Sequence, residues 1–144
     1  MTKTMLVGID GSAPGTRAAE FAASIAGAQK ANLLVVYVIP WSPFTFNTPE
    51  ENESRHRRRE EEIELARSKM LAPLLDSLAG AGCKVEGLVR HGRPAEIINY
   101  VAGEKGAVQI FIGRTGDSGL KDLLFGSVAG NLVQTASVPV TIIP

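Results

Sequence analysis

Three glycines and a serine, Gly113, Gly116, Gly126 and Ser127, are the residues of this 144-residue chain whose types and spacing best fit chemistry. They lie between an apolar run at 108–112 and a helical pattern carried by Val128, Ala129, Leu132, Val133 and Ala136. The stretch therefore reads as strand, glycine-rich loop and helix start. Glycine has no Cβ to hold a ligand away from backbone N–H groups. A helix start adds unpaired N–H groups and the positive end of the peptide dipoles, and Ser127 adds a hydroxyl. Such a loop binds anions, phosphate foremost. The plain alternative is a surface turn with Ser127 as a helix cap, and position after a strand and before a helix leaves the two readings evenly balanced.

The elements that must position this loop follow from the pattern of the chain. Met5-Leu6-Val7-Gly8-Ile9 predicts a strand covered on both faces, ending at the turn Asp10-Gly11-Ser12. Ser12 is the expected cap of a helix over 14–28, with Pro14 in its first turn; Ala18, Ala22 and Ile25, with Phe21 alongside, form a face suited to a sheet. A second buried strand spans 32–39 and stops at Pro40. Residues 41–49 hold Pro43, Asn47, Pro49 and three aromatics without periodicity, which predicts a loop.

A long helix is predicted over 50–78, with Ile63, Ala66, Met70, Leu71, Leu74, Leu75 and Leu78 on its buried side and Pro73 kinking or dividing it. Gly80-Ala81-Gly82 closes that helix. A third strand over 83–90 belongs near an edge, because Lys84, Glu86 and Arg90 interrupt it. His91-Gly92-Arg93-Pro94 reads as a turn, and Pro94 opens a short helix with Ile97, Ile98 and Val101 inward. The fourth strand is 108–112 and the fifth is Val138-Pro139-Val140-Thr141-Ile142-Ile143.

Strands alternating with helices predict an α/β fold, an open five-stranded parallel sheet with helices on both faces. Ligands of such sheets sit beyond the carboxyl ends of the strands, where the strand order reverses. If strands one and four are central neighbours, Asp10 and the Gly113 loop share one crevice.

Composition narrows the partners. Fifteen Lys plus Arg balance fifteen Asp plus Glu, so no global field favours nucleic acid or an anionic membrane. In Arg55-His56-Arg57-Arg58-Arg59-Glu60-Glu61-Glu62 the acids follow the bases by three and four residues, which marks a solvated helix face. The single cysteine, Cys83, excludes an intramolecular disulfide and reads as a small core residue. The length fits one domain over 1–144, and without a leader-like start or a membrane-length apolar run the expected location is the cytoplasm. No G-x-S-x-G elbow, H-E-x-x-H helix or Walker lysine is present, so no catalytic set is assigned.

Taken together, Asp10, Val38, the Gly92-x-Pro94 turn, the glycine loop and the Pro139-Val140 strand resemble a universal stress protein over the whole chain. The pattern Gly113-x2-Gly116-x9-Gly126-Ser127 is similar to the signature of that family's ATP-binding branch. The resemblance implies sheet order 3-2-1-4-5, ATP with Mg or Mn in the crevice, AMP or ADP as alternatives, and a homodimer formed through the last strand, 138–143. It places Asp10 by the adenosine, the backbone of Val38 at the adenine edge, Gly113 at the ribose, and Gly116, Gly126 and Ser127 at the phosphates. Their neighbours Gly8, Ile9, Ile112, Thr115 and Val128 complete the expected binding set, with Arg114, Asp117 and Lys121 variable positions beside it. Val108 replaces an acidic residue common in relatives, and Gly130, Asn131 and Gln134 replace charged ones. A slow ATP hydrolase and a nucleotide-free dimerisation module are the competing readings.

Overall fold

The computed structural model describes residues 2–40, 49–116 and 126–144; all of the loop expected at 41–49 but Pro49, which opens a helix, and the positions Asp117 and Lys121 lie outside the described residues. Five parallel strands, β1 (Thr4–Ile9), β2 (Asn32–Pro40), β3 (Val85–Gly92), β4 (Ala107–Gly113) and β5 (Val140–Ile143), form one sheet in the order β3-β2-β1-β4-β5. The order matches that implied by the family resemblance. Both faces are covered, as near-continuous apolar strands demand. On one face Met5, Val7, Val35 and Phe111 pack against α1 (Ala13–Gln29) and α2 (Pro49–Ala66). On the other face Leu6, Val36, Ile110 and Ile112 pack against α4 (Pro94–Lys105) and α5 (Ser127–Thr135). Alternate residues of each strand thus serve opposite cores.

Helix α1 lies close to the sheet because its buried face is almost all alanine: Ala18, Ala19, Ala22, Ala23 and Ala26. Ser12 caps it, accepting from the Gly15 N–H. Phe21 stays 44% exposed, with its ring centroid 6.2 Å from that of Phe111. Ile25 is partly buried against the same core.

The long helix is divided upstream of Pro73, as expected. The segment Arg67–Leu71 is a π-helical turn in which the Ala72 N–H donates to the Arg67 carbonyl, and α3 (Ala72–Ser77) continues from it with Pro73 in its first turn. Proline has no N–H to give, and shifting the register just upstream places it where none is needed. The turn also brings Met70 against Gly11, whose φ of +85° belongs to the Asp10 turn.

Several details differ from expectation. β3 begins and ends two residues later, so His91 and Gly92 are strand residues rather than a turn: β2 offers partners as far as Pro40, which pairs with Gly92. His91 is tied to α2 through its ring Nε2, 3.0 Å from Glu62 Oε2. β5 is shorter than predicted, and Pro139 contributes only its carbonyl, which accepts from the Ile110 N–H at 2.9 Å. Val133, part of the apolar helical pattern, is 52% exposed, because α5 rests on the sheet through Ala129 and Leu132. Cys83 is partly buried against the α1 core, and that burial pushes its thiol pKa up, away from reactivity.

Candidate functional site

The strand order reverses at β1, which has β2 on one side and β4 on the other. At that point a crevice of about 830 Å³ opens beyond the carboxyl ends of the strands. This is within the usual range for a small-molecule site, ~300–1,000 Å³. Gly8, Ile9 and Asp10 enter it from β1, Val38 from β2, Ile112, Gly113, Thr115 and Gly116 from β4 and its extension, and Gly126, Ser127 and Val128 from the start of α5.

The two halves of the glycine pattern meet across a backbone bond, Gly126 N–H to the Arg114 carbonyl at 2.8 Å. Gly126, not Ser127, is the N-cap residue of α5, with φ −69°. The first α5 bond runs from the Gly130 N–H to the Gly126 carbonyl at 2.9 Å. The N–H groups of Ser127, Val128 and Ala129 therefore precede the helical ladder, and all three residues line the crevice. The helix dipole adds to their attraction for an anion.

The glycines are required by space rather than by backbone conformation. None of Gly113, Gly116 and Gly126 is among the described positive-φ residues, contrary to the usual reason for glycine in a tight loop. A Cβ on Gly113 would stand 3.0 Å from the Pro14 carbonyl carbon, so this glycine lets α1 approach the end of β4. A Cβ on Gly116 would stand 2.6 Å from Asp10 Oδ2. At Gly126 it would meet Thr115 Cα at 3.3 Å and Gly116 N at 3.4 Å. Arg114 is exposed and does not line the crevice.

A second recognition element comes from strand lengths. β1 pairs with β2 only as far as Ile9 opposite Tyr37, whereas β2 continues along β3 through Val38 and Ile39 to Pro40. The β1-side edge of β2 at Val38–Pro40 thus projects past its neighbour into the crevice, where strand-edge donors and acceptors can pair with a planar ligand.

Sequence reasoning missed the wall opposite this edge. Arg93 and Pro94 at the start of α4, Asn99 further along it, and Asn131 and Thr135 on α5 also line the crevice. The Asn99 amide donates to Thr135 Oγ1 at 2.8 Å, and that hydroxyl donates to the Asn131 carbonyl at 2.8 Å, which joins the two helices. Only the packing of α4 beside α5 reveals this wall; the polar residues between inward-facing Ile97, Ile98 and Val101 gave the one hint of it.

Sheet order, flanking helices and a crevice at the reversal point define a doubly wound α/β protein of the Rossmann-like kind. The chain belongs to the universal stress protein family, whose profile matches residues 1–144. It is 33% identical over 153 aligned positions to universal stress protein YxiE of Bacillus subtilis, covering 99% of each chain. It is 35% identical over 144 positions to a universal stress protein of Thermus aquaticus, again covering 99% of each. Among solved structures, the universal stress protein UspA from Lactobacillus plantarum superposes with a TM-score of 0.83 at 23% identity, over 99% of this chain and 97% of that one. A universal stress protein solved in complex with cAMP gives 0.71 at 24%, over 99% and 96% of the two chains. The universal stress protein from Archaeoglobus fulgidus in complex with dAMP gives 0.60 at 26% identity, over 100% of this chain and 98% of that one. The likeness to the first two structures is one of fold.

Proposed function

We propose that this protein binds an adenine nucleotide, ATP with Mg or Mn or else AMP or ADP, in the crevice at the sheet reversal, and acts as a regulatory homodimer of the cytoplasm. The observation that carries the reading is the convergence, in one crevice, of an acceptor carboxylate at Asp10, the free edge of β2 at Val38 and the amides that open α5. Glycine at 126 lets the 114–116 backbone close against the start of α5, where a Cβ would press on Thr115 Cα, and so keeps the two halves of the glycine pattern together beside those amides. The relatives solved with cAMP and with dAMP support an adenine nucleotide as the ligand class. Among the described residues no group of three His, Cys, Asp or Glu side chains is placed to hold a metal.

Saturating nucleotide should stabilise the fold. At about a hundred times its dissociation constant the gain is ~2.7 kcal/mol, which for a chain of this size raises the melting point by roughly 5–10 °C. A thermal-shift titration measures it, and a melting point that stays flat to millimolar ATP would remove the proposal. Ser127→Ala should weaken ATP binding only modestly, by ~0.5–1.5 kcal/mol, or up to ~3 if the hydroxyl meets a charged oxygen, because the α5 amides remain. Calorimetry on the folded variant checks this; unchanged affinity would remove the hydroxyl from the site.

A further inference from the structure

We infer that Ser12 is a positioning residue for this crevice: it fixes the Asp10 carboxylate so that one oxygen is held for the nucleoside end of the ligand. This rests on the nucleotide reading above and adds to it a residue outside the glycine pattern. Ser12 is the one buried polar side chain among the described residues, 5% exposed, although Asp10 two residues earlier is exposed. Its backbone N–H donates to Asp10 Oδ1 at 2.9 Å, and its hydroxyl donates to the same oxygen. That hydroxyl also accepts from the Gly15 N–H at 3.4 Å. A hydroxyl has a single proton, so donation to Asp10 leaves Ser12 Oγ as the acceptor that caps α1. One side chain thus starts the helix and anchors the carboxylate to it.

The remainder of the seat is shaped by missing side chains. A Cβ on Gly15 would lie 3.1 Å from Asp10 Oδ1, and one on Gly116 would lie 2.6 Å from Oδ2. Gly116, read from sequence as a phosphate contact, is here the residue that makes room for the carboxylate. With Oδ1 engaged by Ser12, Oδ2 has no hydrogen-bond partner among the described residues. An ionised carboxylate oxygen accepts hydrogen bonds and repels phosphate. Asp10 therefore selects ribose hydroxyls or an amino group at this end and leaves the phosphates to the amides of α5. Without the Ser12 hydroxyl, an exposed aspartate would spread over several rotamers, and binding would have to order it again.

The test is calorimetry on Ser12→Ala, Ser12→Thr, Asp10→Ala and the Ser12→Ala/Asp10→Ala double variant, with ATP and with inorganic tripolyphosphate as probes. Ser12→Ala should weaken ATP about fivefold to tenfold and leave tripolyphosphate unchanged, Ser12→Thr should recover ATP affinity, and the double variant should bind ATP like Asp10→Ala. An equal loss of both probes, a loss that persists undiminished in the Asp10→Ala background, or no loss at all would make Ser12 a helix cap and nothing more. If Ser12→Ala does not fold, Ser12→Gly gives the same comparison, since an N-cap tolerates glycine far better than alanine. A crystal structure of the hydroxyl-deleted variant decides the point without ligand: Asp10 should leave its place between Gly15 and Gly116, and an unmoved carboxylate overturns the inference. Wild type that binds no ATP would instead overturn the nucleotide reading, a result separable from any of these.

Discussion

Gly126→Val should fold and lose ATP binding by about a hundredfold or more, the equivalent of ~3 kcal/mol. The glycine is the N-cap of α5 with φ −69°, a backbone any residue adopts, so the variant carries no conformational strain. Its Cβ would sit 3.3 Å from Thr115 Cα and 3.4 Å from Gly116 N, so the loop backbone must give by a few tenths of an ångström to admit it. The two further carbons of valine would then stand where a phosphate must approach the Ser127, Val128 and Ala129 amides. Gly116→Val should also abolish binding, but by another route, because its side chain runs into Asp10 Oδ2 and displaces the carboxylate. Gly113→Val is the poorest test of the three. It would collide with the backbone of Pro14 and loosen α1, so lost binding there would only report lost structure. Circular dichroism and calorimetry on the first two variants check the prediction. Wild-type affinity in both would place the phosphates elsewhere.

The double substitution Val140→Lys with Ile142→Lys should convert a dimer to a folded monomer. β5 is the terminal strand of the sheet, hydrogen-bonded on one side to β4. Its segment between Pro139 and Pro144 carries no charged residue to deter a second strand. An antiparallel copy about a two-fold axis would satisfy that edge, and the two prolines would confine the ladder between them. Val140 and Ile142 are only partly buried, so the stems of two lysines can lie along the α5 face with their ammonium groups in water. Between two copies, by contrast, four new positive charges would face one another. Removing a dimer interface this way should raise its dissociation constant by about a hundredfold or more. Sedimentation equilibrium at micromolar concentration reads the outcome. Wild type sedimenting as a monomer, or the double variant remaining fully dimeric, would show that β5 is not the interface.

The fold was legible because every strand states its own environment. Val7, Val35 and Phe111 alternate with Leu6, Val36 and Ile110 between two cores, and this pattern survives in a single sequence. The glycine pattern was legible for the same reason, being local. What stayed hidden depends on contacts between distant segments. Gly113 makes room for Pro14 and Gly116 for Asp10, each across about a hundred residues of chain, so these packing roles did not show beside the ribose and phosphate roles expected of them. The wall formed by Asn99, Asn131 and Thr135 exists only once two helices lie side by side. The end of β3 was misplaced because His91 and Gly92 are turn-like by composition, whereas the length of β2 decides how far the strand runs. Pro73 was correctly marked as a disturbance, but its effect took the form of a π-helical turn that no propensity scale encodes.

The most direct measurement is isothermal titration calorimetry of the unmodified protein with Mg-ATP. Saturable heat with one site per chain, competed by AMP and lost in Gly126→Val, is the result expected of a nucleotide crevice at the β1 reversal. The absence of any binding heat up to millimolar ATP, from protein freed of copurified nucleotide, would contradict it.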